Sequence, residues 1–340
     1  MTRLLIYMLI PRLSIAFSRV APRRMCSLAA GVDSIPHSWE TAITVPDGLV
    51  AVYKPQTWTS ADVVAKVRST LQRELRHRTG GRVKVKVGHG GTLDPLATGV
   101  LVLGIGKGCR QLTDYLAGAK RYRAVGKLGM KTDTLDSLGE AVAEKPWDHV
   151  TDAQLSDALE AFRGEILQIP PMFSAKRKDG KRLYDLAREG KVVEREARAV
   201  TVTSLSLLQE HDDWLRAGAL TRGGNDGSSQ VGLAVNARLE VADAPPCPPS
   251  FMDLPSFALD VECGGGTYIR SIIDDLGDAV DSCAHMTWLE RTRQGPFELD
   301  DCLAEAHWSF EEICAHTVRC TQLLETEEPV ASGDSDCSDQ

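Results

Sequence analysis

The sequence predicts an α+β fold, and three observations carry that reading. Strand-like and helix-like segments are mixed along the chain without the regular strand–helix–strand repeat of a parallel α/β sheet. Short apolar runs such as Val100-Leu101-Val102-Leu103 read as buried strands. Alternating stretches such as Phe257, Leu259 and Val261 read as half-buried ones. At 340 residues the chain can bury one large core or two medium ones, and 43% hydrophobic with 25% charged residues is ordinary for a globular protein.

Taken in order, residues 1–30 hold five arginines (Arg3, Arg12, Arg19, Arg23 and Arg24), three serines and no acid, the composition of a mitochondrial transit peptide. The apolar run 4–10 is too short to span a membrane, and Pro11 interrupts it, which disfavours a secretory signal. A translation start at Met25 would delete the segment and leave a nuclear or cytoplasmic protein. The catalytic domain is expected over 43–304. Residues 48–53 read as a strand, and Thr59 or Ser60 as the cap of a helix with Val63, Val64, Val67, Leu71 and Leu75 on one face. Val83, Val85 and Val87 alternate with Lys84 and Lys86, a half-buried strand with a basic face. The segment 73–86 reads as extra basic surface.

Residues 121–128 are another strand, and 151–162 a helix burying Leu155, Leu159 and Phe162 and ended by Gly164. Residues 209–256 contain a Gly/Asn/Asp/Ser cluster and Pro245-Pro246-Cys247-Pro248-Pro249, and are expected to be an insertion peripheral to the chemistry. A helix over 268–279 follows the glycines at 264–266. Residues 305–340 read as an acidic, largely disordered tail with one short amphipathic stretch.

Charge is unevenly placed. The formal total is −8, yet residues 54–131 hold 16 Lys and Arg against four Asp and Glu. The last twenty residues carry six acids and no base. A basic segment inside an acidic chain fits a nucleic-acid footprint, because local potential governs phosphate binding. Nine scattered cysteines without a C-x-x-C pair argue against a disulfide framework or a zinc site. Cys283-Ala284-His285 is the nearest approach to a ligand pair and reads as core and helix surface.

The stretch Gly88-His89-Gly90-Gly91-Thr92-Leu93-Asp94-Pro95-Leu96-Ala97-Thr98-Gly99 holds one carboxylate in a constrained loop. Its glycines allow tight turning and close approach, and Pro95 pushes Asp94 out of helical angles. On spacing alone, Asp94 reads equally as a catalytic carboxylate or as the cap of a turn N–H. The stretch resembles the catalytic motif of TruB-type tRNA pseudouridine-55 synthases. Five further motifs resemble that family in its order. They are Lys54-Pro55 with Thr59-Ser60, Lys120-Arg121-Tyr122-Arg123 with Thr132-Asp133-Thr134, Pro170-Pro171-Met172-Phe173-Ser174-Ala175 with Gly180-Lys181-Arg182-Leu183-Tyr184, Gly265-Gly266-Thr267-Tyr268-Ile269-Arg270, and Leu289-Glu290-Arg291.

The resemblance implies the pseudouridine synthase fold, a mixed central sheet with the cleft across it. It implies Asp94 as the catalytic carboxylate, Arg270 as its ion-pair partner, and Tyr122 as the tyrosine that stacks on the base and serves proton movement at C5. Tyr268 and Leu289 would pack around a flipped base, and His89 would occupy or buttress the vacated stack. Lys54, Lys120, Arg121 and Arg123 are expected to contact phosphates. The substrate implied is the T-loop uridine of tRNA, with T-loop-like hairpins in other RNAs as further targets. The reaction is redox-neutral and needs no cofactor or metal, and the enzyme is expected to be monomeric, without membrane contact. The stretch after the last motif is short and acidic for a C-terminal PUA domain, so the chain resembles the PUA-less eukaryotic branch, acting alone.

Rival readings are weaker. Gly104-Ile105-Gly106-Lys107-Gly108 fits neither G-x-G-x-x-G nor the P-loop, which needs glycine where Leu101 stands. A zinc deaminase would need H-x-E and P-C-x-x-C, and neither is present. A non-catalytic tRNA-folding module would share the basic surface and base flipping without turnover.

Overall fold

Thr59 opens the first helix with a full capping box. Its Oγ1 accepts from the Asp62 N–H (3.1 Å) while Asp62 Oδ2 accepts from the Thr59 N–H (2.9 Å), satisfying two donors that a helix start leaves orphaned. The computed structural model describes residues 42–178, 180–208 and 254–327. In it, α1 (Ser60–Thr79) buries the predicted Val63, Val64, Val67, Leu71 and Leu75, and ends on left-handed Gly80. Residues 1–30, expected to be a transit peptide, the last residues from 328 and almost all of 209–256 lie outside the described residues. Only the end of the expected insertion is described, and there Ser256 already opens a strand.

The core is a nine-stranded mixed sheet. Its strands are β1 (Gly48–Lys54), β2 (Val87–His89), β3 (Thr98–Ile105), β4 (Lys120–Leu128), β7 (Gly164–Gln168), β10 (Arg198–Leu207), β11 (Ser256–Cys263), β12 (Ala284–Gln294) and β13 (Phe297–Glu298). The order is β1-β3-β12-β4-β11-β10-β7, with β2 joined to β3 and β13 to β12. β12 runs parallel to β3, and every other pairing is antiparallel. Two small hairpins stand apart, β5 (Met130–Thr132) with β6 (Ala141–Glu144) and β8 (Arg177–Lys178) with β9 (Lys181–Arg182). Short helices α2 (Leu112–Ala117), α3 (Asp152–Ala158) and α4 (Leu183–Arg188) join them, and α5 (Ile269–Ala279) packs on β12. The helix expected over 151–162 is α3 followed by a 3-10 turn over Leu159–Phe162.

Three expectations change. The strand expected from Val83 begins only at Val87, because residues 82–86 find no ladder partner beyond one bond from Gly106 N–H to Lys86 O. The burial alternation survives, with Val85 and Val87 inside and Lys84 and Lys86 outside. Cys283 and His285 are buried at the start of strand β12 rather than on a helix, and His285 Nδ1 lies 2.9 Å from Met130 O.

The third change concerns the tail. Residues 310–327 form helix α6 (Phe310–Glu327), which buries Phe310, Ile313, Cys314, Thr317 and Cys320 against β1 and α1. Its acids mislead when counted as composition, since Glu311 and Glu312 sit in the first turn, where the helix dipole favours them. Ser309 Oγ accepts from the Glu312 N–H, and Arg78 of α1 pairs with Glu311 and stacks over Phe310, 4.2 Å from the ring centroid. Truncation after Ser309 is therefore expected to yield protein that unfolds at least 10 °C lower or is insoluble. Thermal melts of the two lengths check this, and equal melting would show that α6 is dispensable. Among the described residues, no helix is long and apolar enough to cross a membrane.

Candidate active site

The Asp94 loop leaves β2 and returns as β3, and its backbone is tied at every step. Gly90 N–H donates to Val102 O (2.8 Å), Leu93 N–H to Ser60 Oγ (2.8 Å), Thr57 N–H to Pro95 O (2.8 Å) and Ala97 N–H to Asp94 O (3.0 Å). Leu93, Leu96 and Ala97 are buried on either side of Asp94, whose carboxylate stays 31% exposed. Apolar anchors thus flank an accessible acid, an arrangement suited to chemistry.

Two buried side chains stand in where β3 changes neighbours. Thr98 and Gly99 pair with β12, residues 103–105 pair with β2, and the stretch between has no strand on that side. There Arg291 Nε donates to Val100 O (2.7 Å) and its Nη2 to Gly91 O (3.3 Å). Gln294 Oε1 accepts from the Val102 N–H (3.1 Å) and its Nε2 donates to Gly90 O (2.5 Å). Arg291 and Gln294 therefore replace the missing ladder and hold the loop, satisfying groups that are costly to bury unpaired. Gly99 makes this crossing possible. Its φ is +102°, and a Cβ there would lie 2.3 Å from Arg291 O. Gly99→Ala is expected to cost roughly 3 kcal/mol or more, measured by urea unfolding; a loss under 1 kcal/mol would refute the constraint.

Opposite the loop stands Arg270, in the first turn of α5 and only 3% exposed. Its Nε lies 2.9 Å from Asp94 Oδ2, an ion contact in which the N–H is not aimed along the line of a hydrogen bond. Nη1 donates to Thr134 O (2.7 Å) and lies 3.7 Å from Asp136 Oδ2, while Nη2 donates to Phe173 O (2.9 Å). The guanidinium is fixed by Thr134 O, Asp136 and Phe173 O, and Asp94 faces its remaining edge.

Between them opens a cavity of about 250 Å³ lined by Asp94, Arg270, Tyr122, Tyr268, Leu289, Lys120 and Arg291. Tyr122 and Leu289 come from the central strands β4 and β12, so the cleft lies across the sheet. Burial raises the phenol pKa of Tyr122 and of Tyr268, keeping both protonated at neutral pH. Ser174 is buried on the same wall, beside the Tyr268 hydroxyl. His89 stands outside the lining at the start of the loop, its Nδ1 accepting from the Gly91 N–H (3.4 Å). Burial lowers its pKa, which favours the neutral ring.

Of the four expected phosphate contacts, two are buried and two are partly or fully exposed. Lys54 is fully buried, donating to Pro55 O (2.8 Å) and Trp58 O (2.5 Å), and burial lowers its pKa to about 7. Lys120 is buried in the cavity wall, donating to Leu116 O and Gly118 O, with its pKa lowered by burial to about 8. Arg121 is exposed, but its guanidinium forks onto Asp260 across the strand pair. Arg123 is half-buried on β4 and already engaged within the protein. Two of the four are therefore scaffold cations, because carbonyl groups at loop and helix ends claim their donors.

In the sequence reading Arg291 stood only as part of the Leu289-Glu290-Arg291 motif, with no task assigned, and Gln294 and Asp136 did not figure. Arg291 follows Leu289 at strand spacing, on the inward phase, and an arginine there is a legible sign of a buried cation. No metal-ligand cluster of His, Cys, Asp and Glu occurs among the described residues.

Comparison with known proteins places the chain. Residues 77–223 match the sequence profile described as TruB family pseudouridylate synthase (N terminal domain). Mouse pseudouridylate synthase TRUB1 is 39% identical over 314 residues, covering 90% of this chain and 77% of its own. The tRNA pseudouridine synthase B of Phocaeicola vulgatus is 37% identical over 251 residues, covering 74% of this chain and 87% of its own. A chain in the crystal structure of a Cbf5-Nop10-Gar1 complex superposes with a TM-score of 0.47 and 24% identity over 79% of this chain, which spans 55% of that chain's length. On the strength of the sequence relatives, the chain belongs to the TruB family of pseudouridylate synthases, isomerases of uridine in RNA.

Proposed function

We propose that this protein is a stand-alone tRNA pseudouridine synthase that flips the T-loop uridine, position 55, into the cavity and isomerises it with Asp94 as the catalytic carboxylate. The observation that carries this reading is the Asp94–Arg270 contact at the cavity of about 250 Å³ walled by Tyr122, Tyr268 and Leu289. Isomerisation detaches uracil at N1, turns it, and rejoins it through C5. A carboxylate in contact with a fixed guanidinium suits that chemistry, because both groups meet the base at defined positions in a partly closed site. The aromatic and aliphatic walls suit a planar base that must turn without leaving. The bacterial relatives named tRNA pseudouridine synthase B support tRNA as the substrate.

The test is pseudouridine formation in an unmodified T-arm hairpin by protein lacking residues 1–30, in EDTA and without nucleotide. Turnover supports the reading. Tight, salt-dependent binding without turnover on the hairpin or on intact tRNA would instead favour a tRNA-folding module. Single-copy action is part of the proposal, and a dimer in solution scattering at assay concentration would count against it. From the arginine-rich, acid-free residues 1–30 we also infer a mitochondrial destination. A fluorescent protein fused behind them should enter mitochondria, whereas diffuse fluorescence rejects the inference.

A further inference from the structure

We propose that Gln168 is a positioning residue for the catalytic pair, holding the start of α5 so that Arg270 meets Asp94. This rests on the proposed role of Asp94. Gln168 ends the edge strand β7, whose Glu165 and Leu167 are exposed, yet Gln168 itself is 2% exposed. Both halves of its amide engage one distant residue. Oε1 accepts from the Tyr268 N–H (2.8 Å), and Nε2 donates to Tyr268 O (3.0 Å). A side chain thereby copies a strand pairing.

Besides Gln168, among the described residues the backbone of Tyr268 is held by the Ser271 and Ile272 N–H groups of α5 itself, which donate to its carbonyl (3.1 and 3.3 Å). Tyr268 precedes α5 in an extended conformation (φ −107°, ψ 109°) with no side-chain cap, so the helix start lacks its usual restraint. The preceding Gly266 is exposed, has φ +87°, and nothing lies within 4 Å of where a Cβ would be. Two residues beyond Tyr268 comes Arg270, whose Nη2 donates to Phe173 O on the same connection that leaves Gln168. The connection after β7 thus locates both the backbone of Tyr268 and the guanidinium of Arg270. Burying an amide costs free energy unless both of its functions are used, and here both are spent on the backbone of one residue, Tyr268. Misplacing reacting groups by about 1 Å can cost a hundredfold in rate.

Two variants test this under single-turnover conditions on the T-arm hairpin. Gln168→Met keeps the volume and loses both bonds. Its rate should fall about a hundredfold, while the dissociation constant for the hairpin stays within threefold. Gln168→Glu supplies the sharper readout. As a carboxylate it accepts from the Tyr268 N–H but faces Tyr268 O without a donor, and as a carboxylic acid it regains one. Its rate relative to wild type should therefore climb as pH falls from 8 to 5.5. A flat ratio across that range, or a Gln168→Met rate within threefold of wild type, overturns the proposal. Equal losses in rate and binding also overturn it, since they mark a residue that only maintains the fold. Absence of turnover in the wild-type control would instead remove the Asp94 reading beneath it.

Discussion

Asp94→Asn is expected to lower pseudouridine formation in the T-arm hairpin by roughly 10²–10⁴-fold, with hairpin binding within a few-fold of wild type. The substitution is nearly isosteric, removing the charge and turning one acceptor oxygen into an NH2 donor. Arg270 keeps its bonds to Thr134 O and Phe173 O and its approach to Asp136, so the guanidinium is not stranded. The loop is held by Leu93, Leu96, Ala97 and its backbone bonds, none of which involves the carboxylate. Folding should therefore survive, with a melting temperature within a few degrees of wild type. Mass spectrometry of the digested hairpin, beside a melt and a binding isotherm, separates the effects. An asparagine variant that still makes pseudouridine would remove Asp94 from the mechanism.

The second large effect is on stability. Arg291→Met should destabilise the protein by about 2–6 kcal/mol, because Val100 O and Gly91 O each lose a donor at about 1–3 kcal/mol in a buried setting. Arg291 is fully buried and its reach spans β3 and the catalytic loop, so the damage falls where Asp94 is held. Arg291→Lys should recover little, since one ammonium cannot reproduce two fixed N–H directions. Urea unfolding followed by circular dichroism measures both variants. An unfolding free energy within 1 kcal/mol of wild type for Arg291→Met would show that the loop is held by other bonds.

Helix α1 was legible because its cues are local. A Thr with Asp three positions on, apolar residues at helical spacing and a terminal Gly lie within one short stretch, and each acts on its neighbours. Strands β1, β3, β4 and β11 were legible for the same reason. Helix α6 was read only as one short amphipathic stretch because its acids outweighed the spacing of Phe310, Ile313, Cys314, Thr317 and Cys320 in a reading by composition. Lys54 and Lys120 were misjudged because residue type does not reveal burial. A lysine on a strand reads as solvent-facing until the carbonyls that surround it are known.

By itself the sequence determined the local conformations, the glycine and proline constraints around Asp94, and the set of motifs that resembles the family. Only the tertiary structure decided which of those residues meet. Arg270 reaches Asp94 because α5 starts where Gln168 and the connection after β7 hold it. Arg291 becomes a strut for the Asp94 loop because β12 runs beside β3 for only two residues before their paths part. Both facts depend on strand register between distant segments. Register is set by how the whole sheet buries its faces, and no local pattern encodes it.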